Sequence, residues 1–291
     1  MSSENDFEYP WEIKSEVERL QKQYAWVQRC IDNKIIFAPV PLEQEGLRVL
    51  DVGCADGTLL RDLRKQVSPS AQLVGIDVVE AFLPPSKEGL RYEGYDLCEP
   101  PRQELTGAFD VTHVRFVIPG ASKVGYQKTV EHLASTLALG GWLQVHEMDL
   151  DVQDKPNVGP AFKEVCALFL GVFKAMGMVP DLINKLPGAF GIAGLRHVST
   201  ETVELPMGKL LGDEEAAEMS LRPFLLTIPS LIQGAKGKQP SSSVAILLTQ
   251  LGLGADVPES VFDGLAARFE KEVREQGAVF FTKVVLGQKP V

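Results

Sequence analysis

The amino-acid sequence predicts an α/β protein built on an open, mostly parallel sheet, with helices on both faces and a helical cap. Three observations carry this expectation. Short apolar runs alternate with helical-period segments over residues 42–150, the pattern of βαβ units. A glycine turn, Gly53 to Gly57, directly follows the first strand and opens a helix. The alternation stops near Pro156 and resumes only at the strand-forming terminus, Ala278 to Leu286.

Taken in order, Lys14 to Ile31 reads as a helix, because Val17, Leu20, Tyr24, Val27 and Ile31 recur at helical spacing. Pro39 and Pro41 close that region. Arg48 to Val52 reads as a buried strand and Thr58 to Gln66 as a helix. Strands are expected at Gln72 to Val78, Leu90 to Tyr95 and Phe109 to Ile118. A helix from Gly125 to Leu137 should stop at Gly140-Gly141 and lead into a strand at Trp142 to Met148. Beyond Pro156, helices are expected at Phe162 to Met176, Glu214 to Gln233 and Val244 to Leu251, with a polar linker at Gly234 to Ser243. Val261 to Gln276 reads as a last helix before the terminal strand. Three parts follow: 1–41 as an N-terminal helical segment, 42–155 with 261–291 as the α/β core, and 156–260 as a mainly helical cap.

The 291 residues carry a net charge of −10 and 45% hydrophobic side chains. That composition suits a globular chain with a sizeable core. It argues against nucleic-acid or anionic-membrane partners, which require basic surface. Cys30, Cys54, Cys98 and Cys166 stand far apart, so neither a disulfide framework nor a zinc site is expected and no metal is assigned. The polar start MSSENDFEYPWE lacks a signal-peptide core, and no apolar run reaches about 20 residues. A cytoplasmic monomer or homodimer is the resulting expectation.

The chemistry concentrates in Val49-Leu50-Asp51-Val52-Gly53-Cys54-Ala55-Asp56-Gly57-Thr58. Gly53 and Gly57 allow the backbone to approach a ligand closely, and the following helix N-terminus offers free N–H groups to a carboxylate. A dinucleotide fingerprint would need glycine where Ala55 and Thr58 stand. Asp51 at the strand end repels a pyrophosphate and attracts an ammonium. S-adenosylmethionine, with its ammonium, carboxylate and sulfonium, suits such a site. Asp77 ends the second strand, where it can accept ribose hydroxyls. Asp96 follows the third, where it can accept from an adenine amino group while Leu97 packs on the ring.

Further strings join these: Glu18-Arg19-Leu20-x-x-Gln23-Tyr24, Phe37-Ala38-Pro39-Val40, Gly75-Ile76-Asp77, Pro84-Pro85, Phe109 to Arg115, and Leu139 to Glu147. Together they resemble the class I S-adenosylmethionine-dependent methyltransferases over residues 12–150, most nearly the fungal secondary-metabolism branch of LaeA-like and UMTA-like proteins. The resemblance implies a Rossmann-like, seven-stranded methyltransferase sheet. It implies a cofactor site of Tyr24, Asp51, Gly53, Ala55, Gly57, Asp77, Val78, Asp96, Leu97 and Arg115, with Tyr24 folded over it. The chain departs from the pattern at Ala55, where glycine is usual. It departs also at Gln23-Tyr24, where a histidine usually ends the helix pair, and at Leu59-Leu60-Arg61, where a tryptophan is common.

Methyl transfer from a sulfonium is an in-line displacement, so the protein supplies placement and a closed site. His113, Arg115 and His146 are the catalytic candidates. The two histidines also fit as strand-face residues, and Arg115 fits equally an acidic substrate or an ion pair with Asp149. His132 reads as structural and His197 as a lesser candidate. Helix 162–176 and the segment Phe224 to Leu231 read as core or as walls of a bulky, apolar acceptor pocket. The expected reaction is methylation of O, N or S on a small, largely apolar metabolite. Alternatives are a methyltransferase-like protein that catalyses a cyclisation or rearrangement, or a non-enzymatic regulator.

Overall fold

A computed structural model describes residues 13–87, 89–121, 123–175, 177, 179, 181–237 and 262–291. Its elements run α1 (Ile13–Cys30), β1 (Arg48–Val52), α2 (Thr58–Leu63), β2 (Gln72–Asp77), β3 (Leu90–Gly94), β4 (Phe109–Arg115), α3 (Tyr126–Thr136) and β5 (Leu137–Met148). There follow α4 (Pro160–Ala175), α5 (Leu182–Ile192), β6 (Arg196–Met207), α6 (Glu214–Gly237), α7 (Leu265–Gln276) and β7 (Ala278–Gln288). The helix expected at Val244 to Leu251 and most of the expected 234–243 linker lie outside the described residues.

The strands form one seven-stranded sheet in the order β3-β2-β1-β4-β5-β7-β6. β1, β2, β3, β4 and β5 pair in parallel; β7 lies antiparallel between β5 and β6. The order reverses between β1 and β4, which opens a crevice at the carboxyl ends of those strands.

Alternation divides the sheet into two faces. Leu50, Val52, Val74, Ile76, Val114, Leu143 and Val145 pack against α3 and α5 through Leu133, Leu186 and Phe190. Val49, Leu73 and Val111 point the other way, onto Leu59, Leu60 and Leu63 of α2 and onto Ile35 and Ile36. Further along that second face, Phe280 and Val284 of β7 meet Trp26 of α1, Phe162 of α4, Phe224 of α6 and Phe269 of α7. The Phe162 ring lies 5.8 Å from Phe224, 5.4 Å from Phe269 and 6.1 Å from Phe280, within the range of favourable aromatic pairs.

Several expectations are corrected. Residues 156–260, expected as a mainly helical cap, supply the sheet strand β6 alongside the helices α4, α5 and α6. Phe162 and Phe224 are core rather than pocket wall. Gly140 and Gly141 lie inside β5, which begins at Leu137. Gly140 takes φ 77°, and the β4–β5 register shifts between Phe109 and Val111. A Cβ on Gly141 would come within 2.7 Å of the Phe109 carbonyl oxygen, so the glycine pair makes an irregularity in a strand rather than a helix stop. α2 ends at Leu63, three residues before the expected Gln66.

Because Phe162 is fully buried and joins α4 to the sheet, Phe162→Ala should destabilise the whole chain by about 3–5 kcal/mol. Urea unfolding followed by far-UV and near-UV signals should show one shifted transition. A variant that loosens α4 alone and leaves the sheet transition in place would contradict this packing.

Candidate active site

The loop after β1 is held by β2. Gly53 N and Cys54 N both donate to Ile76 O, at 2.8 and 3.0 Å, and Gly57 N donates to Cys54 O at 2.8 Å. The Asp77 carboxylate clamps both sides of the turn: Oδ2 accepts Ala55 N–H and Oδ1 accepts Val79 N–H, each at 2.9 Å. Each oxygen keeps a further lone pair. Burial raises the Asp77 pKa, and the backbone N–H groups of Val79, Ala55 and Val78 oppose that shift. Gly53 and Gly57 take φ 73° and 72°, as the turn requires. Ala55 sits at φ 47°, a position that favours glycine.

One expectation fails here. Thr58 N is capped by Asp56 Oδ1 at 3.1 Å, and the N–H groups of Gly53, Cys54, Ala55 and Gly57 are all engaged within the protein. The loop and the short α2 therefore do not offer the cluster of free N–H groups expected for a carboxylate. Asp96 and Leu97 follow β3 as expected; Asp96 Oδ1 accepts Cys98 N–H at 2.8 Å. His132 is buried and its Nδ1 lies 3.2 Å from Leu97 O, so it ties α3 to this segment. Val78 is half-buried beside Asp77.

Beneath α1 the second face of the sheet carries a row of polar side chains. Asp51, His113 and Gln144 are in register across β1, β4 and β5, and Arg115 is in register with His146. His113 Nδ1 and Asp51 Oδ1 lie 2.8 Å apart, both buried. That bond fixes His113 as the holder of Asp51. Gln144 Oε1 accepts Phe37 N–H and Ala38 N–H at 2.6 and 3.1 Å, and its Nε2 donates to Ile35 O at 2.8 Å. The 35–38 segment is thereby laid over the sheet.

Arg115, at the end of β4, is the cation of this row. Its guanidinium carbon sits 5.0 Å from the Tyr24 ring centroid, and among the described residues it makes no hydrogen bond or ion pair. The Asp149 partner expected for it is instead bound by Lys155 and Lys283, at 3.3 and 3.2 Å. Desolvation lowers the Arg115 pKa, while Asp51 and Tyr24 act to hold its charge. Tyr24 OH donates to Asp62 Oδ2 at 2.8 Å, and Gln21 Nε2 to Asp56 Oδ2 at 2.8 Å. α1 is therefore strapped across α2 and the glycine loop.

His146 is buried, with the Phe116 and Phe37 rings 5.3 and 6.2 Å away. Its Nε2 lies 2.8 Å from Thr282 Oγ1, and Thr282 Oγ1 donates its one proton to Val203 O at 3.1 Å. His146 must then donate from Nε2, which leaves the lone pair on Nδ1. Burial, with Arg115 and His113 nearby, holds its pKa well below the ordinary value, so the ring is neutral. His197 is exposed at φ 51° and starts β6. Its neighbour Arg196 is in register with Gln288, and Gln288 with Trp142, which places His197 at the amino ends of the strands, away from this site.

Sequence reasoning passed over Gln144, Thr282 and the role of Glu147. Glu147 Oε1 accepts Val117 N–H and Ile118 N–H at 2.7 and 2.9 Å. It pins the turn in which Phe116 takes φ 59°. A Cβ on Gly53 would meet Val117 Cγ2 at 2.2 Å, so this turn closes directly onto the glycine loop.

An open seven-stranded sheet of this order is the Rossmann-like fold shared by class I methyltransferases. Residues 43–168 match a methyltransferase-domain family. The chain is 27% identical over 281 residues to the N-methyltransferase tcpN of Claviceps purpurea, covering 95% of each. It is 32% identical over 110 residues to the secondary metabolism regulator laeA of Coprinopsis cinerea, 37% of this chain and 26% of that one. The fold is shared with a chain of the complex between the Haloferax volcanii Trm112 methyltransferase activator and the putative methyltransferase, at TM-score 0.53 and 17% identity over 96% of both chains. The protein is an S-adenosylmethionine-dependent methyltransferase.

Burial raises the Glu147 pKa from 4.5 to about 7. A carboxyl whose folded pKa exceeds its unfolded value contributes stability that is complete below about 4.5 and is lost as pH rises through 7. Glu147→Gln retains an oxygen for both N–H groups and removes the titration. Its stability relative to wild type should therefore improve between pH 5 and pH 8, by about 3 kcal/mol at most. Denaturant titration across that range measures the difference; parallel pH curves for the two proteins would refute the assignment.

Proposed function

We propose that the chain transfers the methyl group of S-adenosylmethionine to a nitrogen of a small, largely apolar metabolite. The observation that carries this reading is the pairing of opposite charges at the crevice: Asp51 at the end of β1 and a partnerless Arg115 at the end of β4. An α-amino acid group is a zwitterion. Asp51 would take its ammonium and Arg115 its carboxylate, which replaces the helix N-terminus in that role. The free lone pairs of Asp77 suit ribose hydroxyls, and Asp96 with Leu97 suits adenine. Gly53, Ala55, Gly57 and Val78 provide backbone and apolar contact, and Tyr24 covers the site from α1. Bound there, the cofactor supplies an electrophilic methyl.

The chain's own residues do the rest. His113 keeps Asp51 aligned. Neutral His146, with its lone pair on Nδ1, serves as the base that accepts the acceptor's proton. Phe37, Phe116 and Tyr24 exclude water and give the acceptor an apolar wall. In this reading residues 1–41 cover the cofactor, 42–155 with 261–291 hold it, and 156–260 close the acceptor side while contributing β6 to the sheet. Nitrogen is favoured as the methylated atom because tcpN is named an N-methyltransferase. The net charge of −10 favours a small-molecule partner over nucleic acid or an anionic membrane. Among the described residues no helix is long and apolar enough to cross a membrane.

Two substitutions test the cofactor site by calorimetric titration with S-adenosylmethionine and its demethylated product. Arg115→Met should weaken both by about 1.5–3 kcal/mol, the worth of a hydrogen bond to a charged group. Asp77→Ala should cost at least as much, since it removes the ribose acceptor and the loop clamp together. Unchanged affinity in folded Arg115→Met would remove the observation on which the reading stands.

A further inference from the structure

Gln28 of α1 is 4% exposed, and both its Nε2 and its Oε1 are buried with no hydrogen-bond partner. Among the described residues these are the only buried side-chain polar atoms left so. A buried amide with neither end paired is costly, and such groups call for an explanation. Its position supplies one. Residues four apart share a helix face, so Gln28 lies one turn beyond Tyr24, whose ring rests on Arg115. Past the end of α1, the chain returns as the 35–38 segment fastened to Gln144, with Phe37 near His146. Gln28 is thus bracketed along the chain by two segments that roof the polar row.

We infer that Gln28 is the acceptor-recognising residue of this enzyme, its amide kept unpaired for a group that carries a hydrogen-bond donor and an acceptor side by side, as a carboxamide does. The inference rests on the proposed function. The cofactor's charged groups have their own complements in Asp51 and Arg115. A carboxylate offers only acceptors and an ammonium only donors, so neither satisfies both ends of an amide. A neutral donor–acceptor group does.

The test uses the full chain, wild type, Gln28→Met and Gln28→Leu. Without ligand, both variants should melt about 2 °C or more above wild type, because two unpaired polar atoms are gone. A melting temperature that stays or falls would show that the amide is already satisfied and would overturn the inference. Affinity for S-adenosylhomocysteine should stay within about threefold of wild type; a tenfold loss in both variants would move Gln28 to the cofactor and overturn it. With S-adenosylhomocysteine bound, wild type should bind benzamide at least tenfold more tightly than methyl benzoate, and both variants should bind the two alike. A benzamide preference that persists in the variants, or is missing in wild type, overturns the Gln28 assignment alone. Wild type that binds no S-adenosylhomocysteine would overturn the cofactor reading and this one with it.

Discussion

The reversal of strand order between β1 and β4 is the constraint on which the remaining structure depends. It leaves a crevice at the carboxyl ends of the two central strands, and β1 and β4 bring a carboxylate and a guanidinium to it. Around them lie the buried apolar residues Val49, Leu50, Val52, Val111 and Val114. An isolated charge there would be expensive, and the 2.8 Å contact between Asp51 and His113 binds the carboxylate to its neighbouring strand. Arg115 is balanced differently, by the Tyr24 ring and by Asp51 at longer range. Cation–π support of this kind is worth about 0.5–2 kcal/mol. It holds a cation in place and leaves its hydrogen-bonding edge uncommitted.

That arrangement explains why α1 belongs to the site although it precedes the sheet in sequence. Its Tyr24 face closes on Arg115 and its Trp26 face is fixed at the far edge, where Trp26 Nε1 donates to Pro206 O of β6 at 2.8 Å. Trp26 then enters the aromatic cluster of Phe162, Phe224 and Phe280. The helix that roofs the crevice is consequently anchored to α6 and β7. Segments after β5 thus affect the site through a shared core, since packed aromatic clusters transmit displacement rather than absorb it.

The proposed cofactor side of this site is legible in the sequence because acids and glycines sit at fixed places relative to apolar strands. Asp51, Gly53 and Asp77 need only the strand assignments to be placed. β6 was not legible. Seven of its twelve residues, among them Thr200, Glu201 and Thr202, are exposed, and inward-facing apolar residues appear only at Val203, Leu205 and Met207. An edge strand of this composition carries little of the alternation that marks a half-buried strand. Thr282 and Gln28 were hidden for another reason. A threonine in a β-branched run and a glutamine in an amphipathic helix have ordinary explanations, and only the positions of Val203 and of the roof segments give them another. The free helix N-terminus failed because Asp77 takes Ala55 N–H and Asp56 takes Thr58 N–H, while the carbonyls of Ile76 and Cys54 take those of Gly53, Cys54 and Gly57.

Thr282 sets the tautomer of His146. A histidine beside Arg115 in a dry pocket stays neutral, and a neutral ring has two tautomers of similar energy in water. Only one presents a lone pair on Nδ1. Thr282 removes the ambiguity because its single proton is committed to Val203 O, so it can only accept from His146. The fixing residue lies on β7 and its acceptor on β6, the two strands that follow β5 in the chain. In the proposed mechanism the base must stand in one defined state, and a positively charged electrophile nearby would further oppose its protonation. The antiparallel insertion of β7 between β5 and β6 is therefore a chemical feature as well as an architectural one: it is what brings a hydroxyl to the buried nitrogen of His146.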